Sequence, residues 1–189
     1  RLAAADGAEK TLGIERGPRG QTLRFAGQPV RQLAELVRAL PIQLLHPDSH
    51  LILEGGPRYR RRYLDWGVFH VEPAYYGVWQ RYSRALRQRN AALRSGARAR
   101  DLAAWTPALL EAATALHGLR TQYIELLLPY VRSNLTTLVD LPGLEFRYQP
   151  GWPEEEGLEA ALTARQESDA RRGFTQAGPH RADLLPMLD

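Results

Sequence analysis

From Leu2 to Val30, short runs of alternating apolar and polar residues are separated by turn signals at Asp6-Gly7, Gly17-Pro18 and Ala26-Gly27. That pattern predicts a small antiparallel β-meander. Leu33, Leu36, Val37 and Leu40 then recur at helical spacing, so Arg31 to Leu40 reads as a short amphipathic helix that Pro41 stops. Ile42 to Leu45 reads as a short apolar strand. Asp48 or Ser49 is placed to cap the next turn, Gly55-Gly56 breaks it, and Pro57 suits the first position of another helix, where an N–H has no intrahelical partner.

Two long helical patterns follow. In the first, Trp79, Tyr82, Leu86 and Leu93 share one face, with Arg81, Arg84 and Gln88 opposite. In the second, Thr106 is the predicted N-cap before Pro107. Leu109, Leu116, Tyr123 and Tyr130 recur every seventh residue, with Ala113, Leu127 and Asn134 between them, and Pro129 is expected to kink the helix. The short connection from Ser95 to Trp105 makes the two an antiparallel hairpin. Leu144 to Tyr148 then reads as a strand, Leu158 to Arg165 as a helix and Phe174 to Leu184 as a return strand. The fold class is α+β: antiparallel strands with an inserted helical lobe.

Composition narrows the chemistry. The absence of cysteine excludes a disulfide scaffold, a thiol nucleophile and any Cys-ligated metal, and suits a cytosolic protein. No apolar run approaches the roughly 20 residues of a membrane helix. The net charge of +4 is carried by arginine, since Lys10 is the only lysine, and basicity alone is weak support for nucleic-acid binding. The chain opens on Arg1 as if in the middle of a hairpin, which suggests a segment of a larger protein.

A phosphate-cradling P-loop, G-x-x-x-x-G-K-[ST], is absent. Glu9-Lys10-Thr11 places a carboxylate where glycine should clear the phosphate, so Lys10 reads as a hairpin surface residue and the chain by itself is not expected to bind ATP or be an enzyme. Arg58, Arg60, Arg61 and Arg62 cluster at a helix start, where phosphate would meet both guanidinium forks and free backbone N–H groups. Some of these can pair internally with Asp65, Glu54 or Glu72; Arg58 and Arg60 are the two expected at solvent. Arg81, Arg84, Arg87 and Arg89 extend the basic character along the next helix, and Tyr59, Tyr63, Tyr75, Tyr76, Trp79 and Tyr82 interleave with the arginines as in single-strand stacking surfaces, although most of these aromatics are expected in the core. His46 and His50 have a metal-like spacing that Pro47 interrupts, and Glu154 to Glu156 reads as an exposed acidic loop.

Pro47, Gly55, Gly56, Pro57, Arg61, Arg62, Tyr63, Leu64 and Asp65, continued by DWGVFHVEP at 65–73 and RALRQRNAAL at 84–93, together with GPHRAD at 178–183, resemble the RecF family. The resemblance implies part of an ATPase head like those of ABC and chromosome-maintenance proteins, with residues 1–47 in the first ATPase lobe, 48–142 forming the helical second lobe and 143–189 returning to the core. It implies that Gln43 reaches Mg²⁺ and the attacking water and that His180 and Arg181 approach nucleotide or a dimer partner; Arg58, Arg60, Arg61, Arg62, Arg81, Arg84 and Arg87 are, from their clustering, the candidates for DNA phosphate contact. The parent would bind ATP and Mg²⁺, hydrolyse ATP slowly, dimerise on single-stranded, gapped or junction DNA, and work with RecR and RecO to load recombinase in replication, repair and the SOS response. A helical protein-interaction module and a chromosome-organising head remain the alternatives.

Overall fold

The computed structural model describes residues 2–3, 9–18, 20–44, 46–96, 99–139 and 143–188, so the turn expected at Asp6-Gly7 and the end of the strand expected at Leu45 lie outside them. The chain divides into two compact units, Arg1–His46 and Pro47–Asp189.

In the first unit, β1 (Leu2–Ala3) pairs antiparallel with β2 (Glu9–Lys10), and β3 (Leu12–Gly17), β4 (Gly20–Phe25) and β5 (Gln28–Val30) form a meander. Cross-strand pairs Leu12–Phe25, Ile14–Leu23 and Leu23–Val30 fix the register. The β4–β5 turn needs positive φ at both central residues, and Ala26 and Gly27 adopt 49° and 80°. α1 (Leu33–Ala39) packs on β4 and β5, burying Leu36 beside Leu23. Residues 41–44 form no strand: Ile42 and Leu44 are 54% and 71% exposed, with no ladder to cover them.

The second unit opens with a 3-10 turn at Pro47–His50 and α2 (Leu51–Glu54). Gly55 and Gly56 take extended backbone, and α3 (Pro57–Val71) starts on its proline. α4 (Tyr75–Arg94), α5 (Ala99–Ala103) and α6 (Thr106–Leu138) follow. Arg84 and Gln88 line a cleft with Ala108 and Glu111, while Tyr82 and Arg120 reach one common loop, so α4 and α6 run antiparallel. The core joins Leu64 and Val68 of α3, Tyr75, Val78, Tyr82 and Ala85 of α4, and Leu109, Ala112, Ala113, Leu116 and Ile124 of α6. Gly67 lets α3 approach α6, because a Cβ there would overlap the Tyr123 hydroxyl.

Two stripes differ from expectation. On α4 the buried positions are 75, 78, 82, 85, 89 and 93, so Trp79 is left 40% exposed; the true stripe contains an arginine and was disguised by it. On α6 burial stops at Ile124, and Tyr130 and Asn134 are exposed beyond it. The helix continues through Pro129, and Thr106 donates to the Leu102 carbonyl instead of capping.

β6 (Leu144–Gln149) and β7 (Asp183–Leu188) form an antiparallel pair. Between them lie α7 (Gly157–Ala164) and α8 (Gln166–Arg172), which ends at Gly173 with φ 72°. The strand expected from Phe174 is displaced to Asp183, because Gly178 (φ 139°) and Pro179 enter a 3-10 turn at Pro179–Arg181. β7 packs on α3, so the return segment forms part of the helical unit.

Candidate functional site

At 100° per residue, Arg60 shares the inner face of α3 with Leu64 and Val68. It is 9% exposed, which corrects the expectation that it faces solvent. Its Nε and Nη2 donate to Asp183 Oδ1 and Oδ2 at 2.8 and 2.9 Å, and Nη1 donates to the carbonyls of Ile52, Leu53 and Gly55, satisfying the end of α2. Arg61 is half-buried and gives Nη1 to the Ala182 carbonyl at 2.6 Å, in place of a carboxylate. Asp65 pairs with Arg120 of α6, whose Nε lies 2.8 Å away and whose Nη1 donates to the Pro179 carbonyl at 2.7 Å. Arg58 and Arg62 remain exposed, the former over the Tyr59 ring at 5.0 Å.

These contacts converge on residues 178–183. A Cβ at Gly178 would lie 2.8 Å from the Tyr82 hydroxyl, and the Gly178 N–H donates to Gly151. His180 is held at both ring nitrogens. Because a carbonyl only accepts, Nε2–H donates to Thr175 at 2.9 Å, and Nδ1 therefore accepts from Tyr82 Oη at 2.6 Å. Burial, with Arg181 and Arg61 adding to it, lowers the His180 pKa to about 4, while burial raises that of Tyr82 and keeps its hydroxyl a donor. His180 thus has no ring nitrogen left for nucleotide. Arg181 is exposed, its guanidinium 5.3 Å from the Phe174 ring centre.

The depressed His180 pKa makes a pH prediction. Between pH 6.5 and about 4 the unfolded chain binds a proton that the folded chain refuses, so stability falls as pH falls through that window and is unaffected by His180 above it. The loss should reach roughly 2–3 kcal/mol at 1.36 kcal/mol per pKa unit. Denaturant unfolding at pH 7, 5.5 and 4.5 should show this slope, and His180→Gln should flatten it; equal slopes in both proteins would contradict the assignment.

On α4, Arg81, Arg84 and Arg87 occupy one exposed face that continues toward exposed Arg94, and no Asp or Glu occurs anywhere from Tyr75 to Arg94. Glu111 of α6 lines one cleft with Arg81 and Arg84. Arg89 is a second correction: it is 2% exposed and donates to Asp169 Oδ2 and Thr175 Oγ1 at 2.8 and 2.6 Å. Of the interleaved aromatics, Tyr75 and Tyr82 are core, and Trp79 stacks on Tyr76 at 6.4 Å and 11°. Neither Arg120 nor Asp169 drew attention in the sequence. Their signal was a charged residue at a core-stripe position, as with Arg120 four residues after Leu116 and four before Ile124.

Gln43 belongs to the first unit and is exposed in the irregular 41–44 segment. Lys10 lies on β2 with its ammonium 5.9 Å from the Phe25 ring centre, on the sheet where the failed P-loop match placed it. Among the described residues, no helix is long and apolar enough to cross a membrane.

No family model matches the chain. It is similar to the DNA replication and repair protein RecF of Thioalkalivibrio sulfidiphilus (strain HL-EbGR7), 47% identical over 190 residues that cover 100% of this chain and 53% of the relative. RecF of Pseudomonas fluorescens (strain SBW25) is 46% identical over 186 residues, 97% of this chain and 51% of the relative. A solved structure of the recombination mediator protein RecF-ATPrS in the RecFOR pathway superposes with a TM-score of 0.88 at 23% identity, over 97% of this chain and 53% of that one, and so supports the fold. The chain spans about half the length of the curated relatives it matches. With identity near one half along its whole length and the same fold, the chain belongs, as a segment, to the RecF family.

Proposed function

We propose that this chain is part of a DNA replication and repair protein in which α4 presents the DNA-contacting surface. The observation that carries this is the acid-free exposed face of α4 with Arg81, Arg84 and Arg87 at steps of three, each about 4.5 Å further along the axis. Guanidinium groups so spaced can follow a sugar–phosphate backbone, whose charges are densely and regularly placed. Arg58 and Arg62, also exposed, extend the same reading to α3, whereas Arg60 and Arg89 act inside the fold.

The whole protein, on this reading, binds ATP and Mg²⁺, switches slowly by hydrolysis, dimerises on single-stranded, gapped or junction DNA, and works with RecR and RecO in the cytoplasm. Bound ATP with Mg²⁺ would supply the free energy of that switch. Taken each by itself, Gln43 and Arg181 are exposed with donors to offer such a group; His180 is not, because both ring nitrogens are committed. The phosphate cradle itself is not among the motifs of this chain.

The test is a salt titration of DNA binding by the full-length protein. Changing Arg81, Arg84 and Arg87 together to Gln should lower the slope of log affinity against log salt by about 2–3, at about 0.9 per duplex phosphate lost. Folding should survive because all three are exposed. An unchanged slope would instead favour an acidic protein partner.

A further inference from the structure

We propose that the cleft between the end of β6, the 150–154 turn and Arg165 is a docking site for a short extended segment of a partner protein, one that sets an apolar side chain between an acidic and a basic group. The cleft has a volume of about 460 Å³, within the size range of ligand sites, and Tyr148 and Trp152 form its aromatic wall. His117 of α6 fixes both rings: it stacks on Tyr148 at 5.8 Å and 13°, and meets Trp152 edge-on at 5.1 Å and 67°. The turn is held as well. The Gly151 carbonyl accepts from the Gly178 N–H, and the Pro153 and Glu154 carbonyls accept from the Gly157 N–H. An apolar side chain therefore meets a preformed aromatic surface, and little ordering is left to be done on binding.

The charges around the cleft identify what else the occupant carries. Arg147, Arg165 and Glu154 all line it, yet none of the three makes an ion pair or a side-chain hydrogen bond among the described residues. Arg147 and Gln149 share the outward face of β6, where alternation turns Tyr148 inward. Glu154 lies near enough to the aromatic wall to oppose the lowering of the His117 pKa that burial causes. Exposed Glu155 and Glu156 follow it. A sugar–phosphate backbone brings only negative charge, so these carboxylates repel it; on α4, by contrast, no acid interrupts the arginines. A polypeptide carries N–H donors and side chains of either sign, and can answer guanidinium groups and a carboxylate at once. The mixed charges thus select protein over DNA as the occupant, and none of these residues belongs to the surface assigned to DNA above.

The test titrates the full-length protein, by fluorescence anisotropy, into fluorescein-labelled, end-blocked peptides: Gly-Asp-Leu-Lys-Gly and Gly-Lys-Leu-Asp-Gly against Gly-Asp-Leu-Asp-Gly and Gly-Lys-Leu-Lys-Gly. One of the mixed-charge peptides should bind about tenfold more tightly than either like-charged one. Trp152→Ala should weaken that binding by about tenfold or more, as loss of an aromatic anchor does. Because Trp152 also packs on the core, Arg147→Glu at an exposed position is the second variant. It should cost the preferred peptide about tenfold at an unchanged melting temperature, with Arg147→Lys retaining part of the affinity. The DNA salt slope should stay at its wild-type value in Arg147→Glu, and the α4 triple variant should keep wild-type peptide affinity, so the two surfaces fail separately. Equal affinity for all the peptides, or binding of none, overturns the site. Binding of oligothymidylate that is lost in Trp152→Ala, while the peptides compete for nothing, overturns the protein partner in favour of nucleic acid.

Discussion

Replacing Arg89 with Met is expected to destabilise the helical unit by about 3–5 kcal/mol, the usual cost of breaking a buried ion pair from one side. Arg89 is 2% exposed and Asp169 fully buried, and the two meet at 2.8 Å. Asp169 would keep the Gln176 N–H at 3.0 Å, but its charge would be left without a cation. Thr175 Oγ1 would lose the same arginine, retaining its own hydrogen bond to Asn90. The pair is not an optimised network, because Arg89 Nε is buried without a partner. Removing both charges, Arg89→Met with Asp169→Leu, should therefore recover most of the loss. Urea unfolding of the two single variants and the double variant measures the coupling directly. If Arg89→Met lies within about 0.5 kcal/mol of wild type, as surface substitutions do, the ion pair is not holding α4 to α8.

The same arginines explain what the sequence disclosed and what it concealed. The meander, α1, Pro57 as a helix start and the α4–α6 hairpin were legible because apolar periodicity and turn residues act locally. Arg60, Arg89 and Arg120 were not, because a pattern of apolar residues treats a core arginine as a surface one. Each sits where the helical period calls for a core side chain, and its carboxylate partner lies between 55 and 123 residues away in sequence. Local spacing carries no information about such a partner. α8 was missed for a related reason: all its residues but Ala170 are polar and its single buried one is Asp169. The return strand was placed too early because the apolar content of 174–182 serves a loop packed on helices. As for the candidate site, the Gly178–Asp183 motif was recognisable, but its burial against three helices reversed the role expected of His180 and left Arg181 as the exposed side chain.

Gly151→Ala should have the largest local effect on that loop. Gly151 has φ 97°, which a side chain disfavours, and an added Cβ would lie 2.3 Å from the Gly178 carbonyl oxygen, 2.8 Å from the Ala182 nitrogen and 2.9 Å from the Arg181 carbonyl carbon. All three obstacles are backbone, so no rotamer change relieves them. The 178–183 segment must lift, and the hydrogen bond from the Gly178 N–H to the Gly151 carbonyl goes with it. Backbone strain and overpacking together predict a loss of about 3 kcal/mol or more. Gly118→Ala supplies the control: Gly118 lies inside α6 with open space around its Cβ position, so alanine should stabilise by about 0.5–1 kcal/mol through helix propensity. The lifted loop also gives a spectroscopic signature. In wild type burial, with Arg181 and Arg61 adding to it and the Thr175 carbonyl opposing it, lowers the His180 pKa to about 4. In Gly151→Ala its NMR titration should move up toward the ordinary histidine value of about 6.5 while the helices remain folded. An unmoved His180 titration alongside wild-type stability would show that the loop tolerates the methyl group and that the grip on residues 178–183 is weaker than its hydrogen bonds imply.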